Sequence, residues 1–509
     1  MDFLSAHAAQ SPDRIAVALE GGDALTYAQL EEKANRLANA LLELGFEQHD
    51  RVTTVGYNSV EHSIIGSGTR KCVLVGLPMN SRLTEEEVLY QLAHSETKGV
   101  FCGPEHVARV ESVAPQCPTL ELKVAWGTDD VPEGWHRLDD LIESGAPTPP
   151  AIEAGVTGPT MTYTAGTTGN PKGAYRKEGT DPSIVQNYLG WFNLRPADVH
   201  LVAGPLYHSA PGAFAAFNTI FGGTNIVLPK FDAETALRCI ERYQVNTTFM
   251  APILLQRIVR LPDEIKAKYD VSSMRSIIVA GAPCPFDTKK KVLEMFGEVL
   301  YEFYGSSEVG CNTVMRPEEH LAHPNSCGRP VEGIEIKITD DDGNELPAGE
   351  TGELYIKSGQ VITEYWKNED ATSEARDGEF FSVGDVGYLD EDGFLYIVDR
   401  KRDMVISGGV NICTSEIENV LHGHPDIWDV VVLGIPDDEW GESVHAIIEA
   451  AKGTEPDTTE IAQWLSERTA DYKLPRSWEV RDSLPRDDAG KIRKRDLREP
   501  FWEGRDKRV

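Results

Sequence analysis

The stretch Tyr163-Thr164-Ala165-Gly166-Thr167-Thr168-Gly169-Asn170-Pro171-Lys172-Gly173 decides how this chain is read. Its glycines let a backbone pass close to a ligand, and successive N–H groups in such a turn form an anion-binding concavity. Hydroxyls from Thr164, Thr167 and Thr168 and the ammonium of Lys172 add side-chain donors, which suits a polyphosphate. The string is not a Walker A loop, which runs from glycine to lysine and then to serine or threonine. Here Asn170 and Pro171 separate Gly169 from Lys172. A Gly/Thr-rich turn alone is most often only a turn after a strand, here one near 161–163. The order of this string points to phosphate instead.

Working outward, the chain has 509 residues, a length that predicts about three domains. Hydrophobic residues make up 40% and charged residues 26%, a composition that fills a core and keeps a polar surface. The formal net charge of -33 repels nucleic-acid phosphates and anionic lipid, so neither is an expected partner. A site for a polyanion must then gather its cations locally. Eight scattered cysteines with no CxxC pair suit neither a disulfide framework nor zinc, and fit a reducing cytoplasm. The pairs His320/His323 and His422/His424 lack further ligands at metal spacing and read as loop histidines. No basic leader and no apolar run of membrane-spanning length stands in the sequence, so a soluble cytoplasmic protein is expected.

Residues 26–45 carry apolar side chains at helical spacing, with Thr26 and Gln29 as a capping box and Gly45 as the stop. Beyond them, apolar runs at 73–77, 199–203, 245–250, 276–280 and 299–303 alternate with helical patterns. That alternation predicts an α/β domain with mainly parallel strands, whose carboxyl ends gather ligands. Residues 143–159 read as a surface connection. Between 328 and 396, short strands and turns such as Asp342-Gly343-Asn344 predict a β-rich subdomain. After the charged run 399–403, strands near 429–433 and 444–450 and a helix near 460–470 predict a compact α+β unit.

Further polar strings stand at strand or loop ends: Gly204-Pro205-Leu206-Tyr207-His208-Ser209, Tyr304-Gly305-Ser306-Ser307-Glu308, Gly384-Asp385 and Gly490-Lys491. With the phosphate loop, in this order and spacing, they resemble the core motifs of the adenylate-forming superfamily, in its acyl-CoA synthetase (carboxylate–CoA ligase) branch. The resemblance runs from Leu77-Pro78-Met79-Asn80 to Leu484-Pro485-Arg486, nearly the whole chain. It implies a large N-terminal AMP-binding domain over 1–399, with α/β subdomains and a β-rich one. It further implies a hinge at 400–403 and a small mobile α+β domain over 404–509 that rotates about the hinge. ATP, Mg²⁺ and coenzyme A are the implied cofactor and co-substrates, a small-molecule carboxylate is the implied partner, and a homodimer is compatible with the family.

The resemblance also implies roles. Thr164, Gly166, Thr167, Thr168, Gly169 and Lys172 would hold the β- and γ-phosphates, and Glu308 the metal. Gly281, Ala282, Tyr304, Gly305, Ser306 and Ser307 would line the nucleotide, with Ser307 where the family usually has threonine. Asp385 would take the ribose hydroxyls, since two carboxylate oxygens fit a vicinal diol, and Arg400 would reach ribose or phosphate. Lys491 would bridge the substrate carboxylate and the α-phosphate during adenylation. Arg402 is the implied hinge residue, and Gly408 and Gly409 would let the pantetheine arm pass. His208 would gate the route from that arm to the carboxylate pocket, which argues against an amino-acid substrate.

Four positions depart from the family pattern: Ala165 in the loop, Asp487 after Leu484-Pro485-Arg486, and Cys413-Thr414 before Glu416. The pocket is expected around Trp191, His208, Phe214, Met250, Gly281, Gly305 and Val309, with no buried charge to pair with a second charged group. It favours an apolar acid, fatty or aromatic. A carrier-protein acceptor, luciferase-like or β-lactone-forming chemistry, and a catalytically inactive nucleotide-binding paralogue are the competing readings.

Overall fold

The computed structural model describes residues 2–152, 155, 157–164, 171–401, 403–408, 410–486 and 492–503. Two large α/β sheets carry the N-terminal part, as the alternating pattern predicts. The first has nine strands in the order Arg329–Pro330, Gly310–Met315, Leu300–Ser306, Ser276–Val279, Thr247–Met250, Val199–Val202, Thr224–Val227, Ile15–Leu19 and Ala24–Thr26. From Leu300–Ser306 to Ile15–Leu19 every pairing is parallel. The second has eight strands in the order Glu364–Tyr365, Lys172–Arg176, Thr160–Thr164, Val75–Met79, Arg51–Val55, Gly99–Cys102, Leu122–Ala125 and His136–Arg137. Such strands are covered on both faces, which is why Ser276–Val279 and Gly99–Cys102 are buried at every position.

The helix Tyr27–Glu43 starts at a Thr26 cap, with both arms of the expected capping box formed. Leu30, Ala34, Leu37 and Leu41 pack its apolar face into the core, and Gly45 leaves it at a φ of +82°. The strand expected at 73–77 begins later, at Val75, because the preceding helix runs to Lys71 and Val73 turns the chain at a φ of 57°. Between 335 and 400, six strands form an antiparallel sheet, the predicted β-rich part, while Glu364–Tyr365 joins the second sheet.

The C-terminal unit is a five-stranded sheet dominated by the long hairpin of Ile427–Asp437 with Gly441–Ala450. Its core joins Val430, Val432, Val444 and Ile448 to Ile417 and Ile461 on two covering helices. The sequence reading omitted two of its parts: the short hairpin Val405–Ser407 with Val410–Ile412, and the strand Ser477–Arg481, which pairs in parallel with Gly441–Ala450. All eight cysteines are free thiols. Among the described residues no cluster of three metal-binding side chains occurs, and no helix is long and apolar enough to cross a membrane.

Candidate active site

Both ends of the phosphate-loop string lie on strands of the second sheet. Strands Thr160–Thr164 and Lys172–Arg176 pair antiparallel with Thr164 opposite Lys172. Gly166, Thr167, Thr168 and Gly169 lie outside the described residues. Side chains alternate along a strand, so Lys172, Ala174 and Arg176 share a face, and all three line a single cavity of about 2740 Å³. The Lys172 ammonium sits 4.9 Å from the Tyr365 ring centroid, a cation–π contact that aims it along the cavity wall.

Glu308 meets this hairpin from the first sheet. Its Oε1 accepts hydrogen bonds from the Thr164 hydroxyl at 2.9 Å and the Tyr365 hydroxyl at 3.4 Å. Both bonds fall on Oε1, so Oε2 remains for a cation, and a carboxylate at a triphosphate site has the donor chemistry that Mg²⁺ prefers. Ser307 shares a 2.6 Å hydrogen bond with Ser209, next to His208. Gly305 is required by packing, because a Cβ there would lie 2.0 Å from the Gly310 carbonyl oxygen across the hairpin.

Asp385 and Arg400 face each other on adjacent antiparallel strands. Asp385 is buried, with Oδ1 accepting from Arg400 Nε at 3.1 Å and Oδ2 from the Tyr304 hydroxyl at 2.7 Å. Burial and the Asp385 charge push the Tyr304 phenol well above its ordinary range, so it stays a donor. Burial opposes the Arg400 charge, but Asp385 and Asp403 outweigh it and raise its pKa. The carboxylate is thus held in one orientation by two donors, with lone pairs left for a diol.

His208 precedes the helix Ser209–Ile220, its ring 4.4 Å from that of Tyr207, and lines the cavity with Phe214, Gly281, Ala282, Gly305, Ser306 and Ser307. Gly281 has a φ of +89° with open space where a side chain would stand, so the conformation and not crowding calls for glycine. Three expected pocket residues are elsewhere. Met250 is buried among Ile253, Leu254 and Val279 in the core of the first sheet. Val309 is buried against Phe381 and Tyr365. Trp191 packs on Tyr188 with ring centroids 5.0 Å apart, outside the cavity wall. Met250 and Val309 are each the neighbour of a lining residue, one position off the exposed face, whereas Trp191 follows Tyr188 by three positions at the end of its helix and packs against that ring. Phe249 takes the place expected of Met250 and stacks on Phe214 at 5.6 Å and 11°.

The wall also includes residues with no sequence expectation attached. Tyr188, Gln360 and Arg176 meet through Tyr188 Oη donating to Gln360 Oε1 at 2.9 Å and Arg176 Nη2 donating to the Gln360 carbonyl oxygen. Gln360 and Tyr365 carry no local signature, since their partners lie far away in sequence. Arg176 was missed too, although its strand parity with Lys172 is a signal that could have found it.

From the C-terminal unit, Arg486 and the segment Ile492–Asp496 reach the cavity. Lys491 lies between them, outside the described residues, as do Arg402 and Gly409. Gly408 does not line the cavity. It turns at a φ of +58°, where a Cβ would meet the Trp440 ring at 2.6 Å, so its glycine answers to that indole in this arrangement. Across the boundary, Asp399 Oδ2 accepts from the Thr414 N–H at 2.7 Å and its hydroxyl at 2.8 Å. Lys494 then bonds Thr414 Oγ1 at 3.0 Å and Glu418 at 2.8 Å.

Comparisons with known proteins identify the family. The family model for AMP-binding enzymes matches residues 4–366, and the model for their C-terminal domain matches 416–491. The chain is 35% identical over 503 residues to a feruloyl-CoA synthase of an Amycolatopsis species, covering 97% of both chains. It is 34% identical to the fatty acid–[acyl-carrier-protein] ligase ScoC of Streptomyces coeruleorubidus, over 98% of this chain and 95% of that one. The ATP-bound crystal structure of MatB from Rhodopseudomonas palustris superposes with a TM-score of 0.88 at 29% identity, covering 99% of each chain. The chain belongs to the AMP-binding enzymes, in the acyl-CoA synthetase branch of the adenylate-forming superfamily.

Proposed function

We propose that this protein is an ATP-dependent carboxylate–CoA ligase that converts a largely apolar carboxylic acid to its CoA thioester through an acyl-adenylate. The observation that carries the reading is the convergence on one cavity of Lys172 with Thr164, Glu308, and the Tyr304–Asp385–Arg400 group. These are an anchor for phosphates, a carboxylate for a hard cation and an oriented carboxylate for a ribose.

In the first step a substrate carboxylate oxygen attacks the α-phosphorus of ATP, the bond to the β-phosphate breaks, and pyrophosphate leaves. Both reactants are anions, so the site must neutralise charge that builds around phosphorus. Lys172 and the loop amides hold the departing phosphates, while Ser307 donates to the α-phosphate and Lys491 bridges it to the incoming carboxylate. Glu308, with Oε2 free of protein donors, would hold Mg²⁺, which would supply positive charge to neutralise the triphosphate. Asp385 fixes the ribose and so aims the α-phosphorus at the acid.

In the second step the CoA sulfur attacks the acyl carbon, the carbon–oxygen bond to AMP breaks, and the thiol proton passes to solvent. Gly408 and Gly409 serve the pantetheine arm only after the C-terminal unit turns about Arg402, with His208 at the entry to the acyl pocket. Cleavage of Asp399–Thr414 contacts would accompany that turn.

The test is release of AMP and pyrophosphate over a panel of carboxylates, with and without CoA. CoA-dependent AMP release with fatty or aryl acids supports the reading. The similarity to ScoC favours a second acceptor, a phosphopantetheinyl carrier protein, and its use in place of CoA would move the reading there. ADP release in place of AMP would contradict it.

A further inference from the structure

The carboxylate pocket is not uniformly apolar. Arg176 reaches its wall from the same strand face as Lys172, about 13 Å further along at ~3.3 Å per residue. Only Nη2 has a partner among the described residues, the Gln360 carbonyl oxygen. Nε is enclosed by protein with no acceptor, whereas Nη1 has no hydrogen bond among the described residues and is not enclosed, which leaves it as the donor open to the cavity.

Burial lowers the Arg176 pKa, and only Tyr188 and Glu308 act against that. Glu308 belongs to the phosphate end of the cavity, where its Oε1 is held by Thr164 and Tyr365. Tyr188 is buried among Phe192, Phe214 and Phe217, with ring centroids 4.6–5.9 Å away, and its hydroxyl is committed to Gln360. The wall is therefore aromatic along its length and ends on a cation with an unfilled donor. A buried donor left unfilled costs stability, and a ligand oxygen is the group that relieves it.

We infer that the acyl pocket selects acids whose apolar body ends in an oxygen that accepts a hydrogen bond from Arg176. This rests on the ligase reading above and narrows its substrate class. A phenolic, ether or second carboxylate oxygen shares that chemistry, with the anion favoured by the unpaired charge. A purely hydrocarbon acid offers Nη1 no acceptor in exchange for the water it displaces.

The experiment compares kcat/KM for pyrophosphate exchange over matched para-substituted benzoic and cinnamic acids bearing methyl, hydroxyl, methoxyl or carboxylate. The parent enzyme should prefer an oxygenated acid over its methyl isostere by roughly tenfold or more, the effect of one hydrogen bond to a charged donor. Arg176→Met should bring that ratio to about one, and Arg176→Lys should keep it for the carboxylate alone. ATP binding by calorimetry shows that each variant is folded. A parent enzyme that uses methyl and oxygenated acids equally overturns the inference while leaving the ligase reading intact, as does a ratio unchanged in Arg176→Met. Absence of exchange with every carboxylate overturns both.

Discussion

The Thr164 hydroxyl donates to Glu308 Oε1 at 2.9 Å, joining the phosphate hairpin of one sheet to the strand end of the other. The two residues are 144 apart in sequence, yet this bond sets the spacing between the strand that leads into the proposed phosphate loop and the carboxylate proposed to hold the metal. Glu308→Gln keeps the size and an acceptor but removes the charge. Adenylation should fall by about 10²–10³, the usual effect of losing one preorganised electrostatic group. ATP–pyrophosphate exchange at several Mg²⁺ concentrations checks this, and a parent-like rate removes Glu308 from the metal site.

Asp385 is held by Tyr304 and Arg400 before any ligand arrives. Asp385→Asn should raise the KM for ATP by an amount worth ~1.5–3 kcal/mol, since the charged acceptor of the ribose hydroxyls becomes neutral. Tyr304→Phe should cost ~1 kcal/mol, because it loosens the carboxylate without removing it. Steady-state kinetics with ATP and 2′-deoxy-ATP distinguishes the two. The Asp385 variant should lose most of the discrimination between these nucleotides.

Glu418 should give the fold a pH dependence of known sign. Burial pushes its carboxyl up to about 7, although Lys494 pulls the other way. Between the ordinary glutamate value of ~4.3 and that raised value, the folded protein holds a proton that the unfolded chain has lost. Stability therefore falls as pH rises through this window and levels off above it. Urea unfolding midpoints across the window should show the slope in the parent, and a flatter one in Glu418→Gln.

Lys491 should matter to one half-reaction only. An ammonium between carboxylate and α-phosphate is useful while negative charge accumulates there, and its loss typically costs ~3–4 kcal/mol. Lys491→Ala should lose adenylate formation by two to three powers of ten. It should still convert a supplied acyl-adenylate and CoA to thioester, if that step uses the other domain orientation as proposed. Equal loss of both steps would contradict this assignment.

Much of this arrangement was legible in sequence where a local rule applied. The capping box at Thr26 and Gln29, the buried parallel strands and the change to short antiparallel strands after 328 follow from periodicity and turn chemistry. The polar strings pointed to Lys172, Glu308 and Asp385, which the fold brings to one cavity. Readings failed where a single position of parity decided orientation: Met250 and Val309 are buried in cores, and their neighbours Phe249 and Glu308 line the site. Tyr365 and Gln360 were not legible at all. Tyr365 reaches the site through strand pairing with Ala174, and Gln360 through a turn whose hydrogen bonds join Tyr188, Arg176 and Cys311, and no short pattern encodes either.

The most direct measurement follows the oxygen. An acid labelled with ¹⁸O in its carboxylate, turned over with ATP and CoA, transfers one labelled oxygen to AMP if the carboxylate attacks the α-phosphorus and the thiol then cleaves the acyl–oxygen bond. Mass spectrometry should find one ¹⁸O in each AMP and none in pyrophosphate. Label in inorganic phosphate with ADP formed, or unlabelled AMP alongside the thioester, would contradict an acyl-adenylate route.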